Sequence, residues 1–283
     1  MAGGLAAGGK GWIKVTNPMW TKLNEGKVAL GMITFGTEPN WIEIMAHAGL
    51  NFVKIDMMLT SIDWNDARHI VNAARAVGIS TNIRLQSNPW AKAGNSTVGM
   101  DALRALAIGA DGVYASLNTV DEIRELVSTG TDWHRKIHII PFTASGYQDV
   151  KKEIIENTAV FPLIESMDAI NNLEEIMSIE GLRLINLGIS DLSVVHGHAF
   201  DYDHPAVWKL IDRAVKLGEK HKVIVGCNTG YAYRTFESVA KRVKALCEHG
   251  VRMITIQTPE FLLQTALHLL KEAIKKEVPK DIF

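Results

Sequence analysis

Residues 160–191 read VFPLIESMDAINNLEEIMSIEGLRLINLGISD, and this stretch decides the fold. It holds two apolar runs of strand length, VFPLIE (160–165) and INLGIS (185–190). Between them, DAINNLEEIMSIEG (168–181) carries apolar residues at helical spacing and ends in glycine, the usual stop signal at a helix C-terminus. The stretch therefore predicts a strand, a helix and a second strand that lies parallel to and beside the first.

The same unit recurs along the chain at intervals of about 25 to 35 residues. The predicted strands are VALGMITF (28–35), NFVKIDMM (51–58), STNIRL (80–85), GVYASL (112–117), VFPLIE (160–165), INLGIS (185–190), KVIVGC (222–227) and MITIQT (253–258). Eight such units predict a single-domain (β/α)8 TIM barrel over residues 27–283, after a flexible tail and lead-in at 1–26. KIHIIPFT (136–143) is a ninth candidate strand, which we interpret as a segment near the rim that is not one of the eight barrel strands. A doubly wound open sheet is the alternative, but no G-x-G-x-x-G follows the first strand.

Composition excludes several classes of protein. The chain has 283 residues, 47% hydrophobic and 22% charged, with a net charge of -1. Lysine and arginine are spread among the acidic residues, so there is no basic stripe for nucleic acid. Cys227 and Cys247 form no CxxC pair and no disulfide framework, which favours a reducing cytoplasm. Because no run reaches the roughly 18 apolar residues of a membrane helix, we expect a cytoplasmic protein with neither nucleic-acid nor membrane partners.

Four charged residues stand at the ends of predicted strands. Asp56 ends the second strand, Arg84 the third and Glu165 the fifth, while Asp191 follows the sixth. In a TIM barrel, the carboxyl ends of all strands meet at one face, where catalytic groups gather. Glu165 and Asp191 lie on neighbouring strands, so both carboxylates can reach one hard cation such as Mg²⁺ or Mn²⁺. The alternative interpretation is that Asp191 caps the following helix.

Several segments resemble the HpcH/HpaI family of metal-dependent pyruvate aldolases. These segments are AHAGLNFVKID, TNIR, PLIESMDAINNLEEIMSIEGLRLINLGISDLS and DHPAV. The resemblance implies a TIM barrel that binds a divalent ion, Mg²⁺ or Mn²⁺ with Co²⁺ as an alternative, through Glu165 and Asp191. It also implies that Arg84 steadies a pyruvate enolate. The family's last helix is exchanged between subunits in hexamers built as trimers of dimers, so PEFLLQTALHLLKEAIKKEV (259–278) predicts a homo-oligomer.

The resemblance also assigns the remaining site residues. The backbone at Gly188, Ile189 and Ser190 matches the turn that holds the substrate carboxylate. Asp56 matches the aspartate that works with a catalytic histidine on strand two. Where the family reads I-D-G-E-H, however, this chain reads IDMML, with Met58 at the glutamate position and Leu59 at the histidine position.

The missing histidine leaves the proton-handling group open. His196 is the residue that we predict to replace it, with His198, Asp56 or a metal-bound hydroxide as alternatives, because an imidazole titrates near neutrality. Leucine also stands at position 163 in place of a family glutamine. Residues 57–59 read Met-Met-Leu, and these side chains predict an apolar side to the mouth of the barrel. An apolar mouth favours a less polar second substrate, such as an aldehyde.

Three functions follow from these observations. The first is a metal-dependent carbon–carbon lyase of the aldolase type that acts on a 2-oxo acid through a pyruvate-like enolate. The second is a decarboxylase of an oxaloacetate-type 2-oxo acid, since expulsion of CO₂ needs no base to deprotonate a hydroxyl. The third is a barrel subunit without catalysis, against which stands the joint presence of Glu165, Asp191 and Arg84.

Overall fold

A computed structural model describes residues 16–86, 98–132, 154–231 and 235–278, and it contains a closed barrel of eight parallel strands. Each strand pairs with the next in the chain, and the first pairs with the last. The strands are β1 (Ala29–Thr34), β2 (Phe52–Asp56), β3 (Ser80–Arg84), β4 (Gly112–Ser116), β5 (Ala159–Ile164), β6 (Leu184–Leu187), β7 (Ile224–Asn228) and β8 (Met253–Ile256). All eight predicted strands and the TIM barrel are confirmed. The candidate strand KIHIIPFT (136–143) lies outside the described residues.

Helices follow every strand, as the apolar spacing predicts. They are α1 (Pro18–Asn24), α2 (Pro39–His47), α3 (Trp64–Val77), α4 (Val98–Ala107), α5 (Val120–Asp132), α6 (Met167–Asn171), α7 (Leu173–Met177), α8 (Ile189–Val195), α9 (Pro205–His221), α10 (Phe236–Glu248) and α11 (Pro259–Glu277). The boundaries have local causes: at α3, Asp63 caps the first turn and Gly78 ends the helix at φ 74°, a conformation that glycine adopts readily. None of the helices in the described ranges is long and apolar enough to cross a membrane.

The strands bury both faces, but the two faces differ. On β2, Val53 and Ile55 belong to the apolar layer between the strands and the surrounding helices. The alternate residue Phe52 belongs to a second apolar cluster that fills the barrel interior. Side chains alternate along a strand, so Lys54 and Asp56 share the inner face with Phe52. The inner face of the barrel therefore becomes polar towards the carboxyl ends of the strands.

Helix α1 closes the opposite end of the barrel. Met19 and Trp20 are buried within the interior cluster. Asn17, which caps α1, accepts a hydrogen bond from the Ser80 hydroxyl at 2.8 Å and donates to the Asn157 carbonyl at 2.7 Å. Helix α1 and its cap lie within the stretch predicted as tail and lead-in (1–26), and this part of that stretch packs against the barrel.

Candidate active site

Arg84 is at the centre of a polar cluster at the carboxyl ends of the strands. Its guanidinium lies 3.2 Å from the Asp56 carboxylate, donates to the Ser116 hydroxyl at 2.8 Å, and lies 3.2 Å from Glu165. These partners come from β2, β4 and the residue after β5. The structure thus brings together three of the predicted site residues, with the planar fork of Arg84 held from three sides.

Asp56 is fully buried and is held by more than Arg84. Its Oδ1 accepts hydrogen bonds from the backbone N–H groups of Met58 at 2.8 Å and Leu59 at 2.9 Å, in the turn that follows β2. Its Oδ2 faces Arg84. Both oxygens of the carboxylate therefore have partners, which fixes Asp56 as a support for Arg84.

Asp191 lies in a helix and not at the end of a strand. Strand β6 ends at Leu187, three residues before its predicted end, and Gly188 is the N-cap of α8. Asp191 occupies the first turn of α8, so the interpretation of this residue as the helix cap is wrong. The carboxylate is exposed and lines the same cavity as Glu165 and Arg84.

Gly188 makes room for Glu165. A Cβ atom at position 188 would lie 2.7 Å from both Cβ and Oε2 of Glu165, closer than van der Waals contact allows. Any other residue would therefore push Glu165 away from its position beside α8. The side chain of Glu165 is 16% exposed, with its carboxylate reaching the cavity.

Charge and burial act together on this cluster. Burial raises the pKa of Glu165, Arg84 acts in the opposite direction, and the neighbouring carboxylates Asp191 and Asp56 add to the rise. For Arg84, burial acts to lower the pKa, but Tyr114, Glu165 and Asp56 outweigh it, so the pKa is raised. Arg84 is accordingly a permanent cation between carboxylates.

The cluster opens into a cavity of about 140 Å³. Apolar side chains that line it are Ile33, Phe35, Leu59, Leu163 and Ile256. The apolar side predicted for the mouth is present at Leu59, but Met57 is buried in the layer outside the barrel. It stays a prediction that Met58 and Leu59 stand at the positions of the family's glutamate and histidine.

The predicted carboxylate-binding backbone is already partly engaged. The Gly188 N–H donates to the Ile164 carbonyl at 2.8 Å, and the Ile189 N–H donates to Asn228 Oδ1 at 3.3 Å. Ser190 lies one position further on, and its hydroxyl pairs with the Tyr202 hydroxyl at 3.1 Å. Gly188 and Ser190 line the cavity, and the carboxylate-binding role of the three residues stays a prediction.

The structure does not bring the predicted histidine to the cavity. His196 ends α8, and the cavity lining within the described residues contains no histidine. His198 stacks on His204 with 3.4 Å between ring centroids. The Nδ1 atom of His204 accepts a hydrogen bond from the Ala206 N–H and caps α9.

Sequence reasoning missed the inner wall of the cavity. Lys54, Tyr114, Asn186, Thr255 and Gln257 all line it from positions within or just after strands. The available signal was a lysine in the otherwise apolar run NFVKID, two residues before Asp56 and so on the same face of the strand.

Comparisons with known proteins agree with this fold. The HpcH/HpaI aldolase/citrate lyase family model matches residues 30–257. The chain is 27% identical over 203 residues to the 2-dehydro-3,6-dideoxy-6-sulfogluconate aldolase of Pseudomonas putida, covering 68% of this chain and 74% of that protein. It is 24% identical over 212 residues to the 2-keto-3-deoxy-L-rhamnonate aldolase of Escherichia coli O157:H7, covering 71% and 75%.

A solved structure shows the same fold. The HpcH/HpaI aldolase from Desulfitobacterium hafniense DCB-2 matches with a TM-score of 0.76 at 21% identity, over 92% of this chain and 97% of that one. The family match covers most of the chain. Together with the two aldolases, it supports the expected lyase of the aldolase type. The chain therefore belongs to the HpcH/HpaI aldolase/citrate lyase family.

Proposed function

We propose that this protein is a divalent-metal-dependent carbon–carbon lyase that breaks or forms the bond beside a pyruvate-like enolate. One observation carries the proposal: Arg84 is fixed by Asp56, Ser116 and Glu165 in a cavity that Asp191 also lines. This arrangement supplies a rigid cation where negative charge develops, next to two carboxylates that face the same space.

The donor set fits a hard divalent cation. Glu165 and Asp191 both line the cavity and offer carboxylate oxygens. Within the described residues, no group of three or more His, Cys, Asp or Glu is placed to hold a metal, so the proposed site has two protein ligands. Two protein carboxylates, completed by water and substrate oxygens, suit Mg²⁺ or Mn²⁺, with Co²⁺ as an alternative. When bound, such an ion supplies Lewis-acid polarisation of the keto oxygen.

The side chains of this protein supply the rest. Arg84 donates hydrogen bonds to the substrate oxygen that becomes negative as the carbon–carbon bond breaks, and Asp56 keeps the guanidinium in place. The turn at Gly188, Ile189 and Ser190, which borders the cavity at Gly188 and Ser190, receives the substrate carboxylate. Phe35 and Leu59 line the mouth and are 39% and 69% exposed, so an aldehyde with an apolar substituent fits there as the second substrate.

A second candidate function is decarboxylation of an oxaloacetate-type acid. The observation that favours it is the lining of the cavity, which holds no histidine within the described residues. Loss of CO₂ leaves the same enolate beside Arg84 but requires no base to take a hydroxyl proton.

One assay separates these functions. The purified protein is incubated with Mn²⁺ and oxaloacetate, and separately with Mn²⁺, pyruvate and a panel of aldehydes that differ in the polarity of the substituent. Pyruvate is followed by a coupled assay, and products by mass spectrometry. We expect metal-dependent consumption of pyruvate with the apolar aldehydes and formation of a 4-hydroxy-2-oxo acid.

Each result decides between the proposals. Release of pyruvate from oxaloacetate without an aldol product would favour the decarboxylase. The absence of both reactions, together with no Mn²⁺ binding by calorimetry, would refute both and favour a barrel without catalysis.

We also propose that α11 mediates a homo-oligomer. Leu263, Leu267 and Leu270 recur at helical spacing and are 46%, 55% and 56% exposed. A stripe of this kind on a 19-residue helix is a typical subunit contact. By light scattering after size-exclusion chromatography, we expect a hexamer that Leu267→Glu with Leu270→Glu converts to smaller species, whereas Lys271→Glu leaves it unchanged. A monomeric wild type would contradict the proposal.

A further inference from the structure

Lys54 is a buried amine beneath the candidate site. Its side chain lies inside the barrel on the face of β2 that also carries Asp56, and the residue is 3% exposed. Its Nζ donates to Asn186 Oδ1 at 3.0 Å and lies 5.0 Å from the centre of the Tyr114 ring and 5.9 Å from that of Phe161. Among the residues that the structure describes, no carboxylate forms an ion pair with it.

The groups around Lys54 do not balance a positive charge. Burial, with a smaller contribution from the Arg84 cation on β3, lowers the pKa of Lys54 to about 7, and Cys227 on β7 acts in the opposite direction. Burial also raises the pKa of Cys227 to about 11 and that of Tyr114 well above 10, so both stay neutral near pH 7. Asp56, on the same strand, has its charge paired with Arg84. An uncompensated buried amine favours its neutral form, whose lone pair can accept a proton.

The floor of the cavity around Lys54 is built for polar atoms. The Tyr114 hydroxyl, Thr255 Oγ1 and Gln257 Oε1 are buried and have no hydrogen-bond partner among the described residues, and all three residues line the cavity with Lys54. Buried polar atoms are normally hydrogen-bonded, so three such atoms around one cavity suit a polar ligand at this depth. Lys54 lines the same cavity as Arg84 and Asp191, so a substrate held in this cavity shares its space with the amine.

We propose that Lys54 is the catalytic residue that moves the proton in the lyase reaction, an inference that rests on the proposed function. In cleavage, the neutral amine takes the proton of the C4 hydroxyl as the C3–C4 bond breaks. The hydroxyl oxygen becomes the aldehyde oxygen, and the electron pair of the broken bond forms the enolate. The resulting ammonium then returns the proton to C3, giving pyruvate. One proton moves from oxygen to carbon, and the amine ends as it began.

Other candidates fit this role less well. Both carboxylate oxygens of Asp56 are engaged, by Arg84 and by two backbone N–H groups. His196 is outside the cavity lining. Lys54 combines contact with the cavity, a single protein hydrogen bond from Nζ among the described residues, and no ion pair there.

Exchange of the pyruvate methyl protons isolates the proposed step. Pyruvate and Mg²⁺ are incubated with the protein in D₂O without an aldehyde, and loss of the methyl signal is followed by proton NMR from about pH 6 to 9. In the wild type, we expect the rate to rise with pH through about 7 and then level off, because only the neutral amine of Lys54 accepts a proton. A rate that is flat across this range would overturn the proposal, even if no variant folded.

Substitutions then test the residue itself. Lys54→Met should lower the exchange rate by at least about 10²-fold and remove the rise near pH 7. Lys54→Arg should be equally slow because its guanidinium stays protonated. Lys216→Met, the same change at an exposed position of α9, should leave rate and profile unchanged. Circular dichroism and Mg²⁺ titration of each variant verify fold and metal binding. Wild-type rate and profile in Lys54→Met would overturn the proposal.

Two further results have distinct meanings. If borohydride in the presence of pyruvate adds a reduced pyruvyl group to Lys54, the amine forms a covalent imine and the proton-transfer role is overturned. If the wild type neither binds Mg²⁺ nor exchanges protons, the proposed function fails and this inference fails with it. Exchange that persists unchanged without Lys54 removes this inference alone.

Discussion

Glu165→Gln and Asp191→Asn are each expected to abolish metal binding and lyase activity together. Each change replaces a charged ligand by a neutral amide of the same shape, leaving one carboxylate for the ion. Loss of Lewis-acid stabilisation worth several kcal/mol corresponds to a fall in kcat/KM of more than about 10³-fold. Calorimetry with Mn²⁺ and the coupled pyruvate assay measure the two effects on the same samples.

A matched control lies close in the chain. Asp168→Asn removes an exposed carboxylate in the first turn of α6, three residues after Glu165, and should change neither measurement. If Glu165→Gln and Asp191→Asn bound Mn²⁺ as tightly as the wild type while losing activity, these carboxylates would act on the substrate directly. The proposed ligand set would then be wrong.

Arg84→Met is expected to inactivate the protein while leaving the metal site. Arg84 meets the developing negative charge on the substrate, and removal of one such preorganised donor costs about 10²- to 10³-fold in kcat. Glu165 loses its ion pair with Arg84, but both carboxylates, Glu165 and Asp191, remain, so Mn²⁺ should still bind. Asp56 would lose its only ion pair within the described residues while remaining buried, so the free energy of unfolding should fall by about 3 kcal/mol.

Arg84→Lys separates charge from shape. Lysine keeps the positive charge near Asp56 but cannot present two nitrogens to Asp56, Ser116 and Glu165 at once, so stability should recover more than activity. Arg68→Met, at an exposed position of α3, is the control. Urea unfolding and steady-state kinetics provide the readouts. Full activity in Arg84→Met would contradict the role assigned to the guanidinium.

Much of the fold was predictable because strands and helices carry different periodicities. The runs VFPLIE and INLGIS are continuous because both faces of a barrel strand are buried, and a glycine such as Gly78 marks the end of a helix. The end of β6 was misjudged because Gly188 and Ile189 continue the apolar run, whereas the backbone turns there into α8. Hydrophobicity alone gives no signal of that turn.

The candidate site was predictable where it lies at strand ends. Asp56 and Arg84 end their strands in the structure, as the barrel argument requires. His196 stays a prediction, and it lies outside the cavity lining because α8 carries it five residues, or about 7.5 Å along a helix, beyond Asp191. Lys54 and Tyr114 were missed because strand patterns do not show which of two buried faces points into a barrel.

Helix α1 links the sealed end of the barrel to the acid–base behaviour of its mouth. Met19 and Trp20 pack into the same cluster as Tyr114 and Phe161, the two rings that flank Lys54 Nζ. Because α1 excludes water from this end of the barrel, it contributes to the burial that lowers the pKa of Lys54. On the role proposed for Lys54, a segment remote from every reacting atom would therefore contribute to the pH at which the amine accepts a proton.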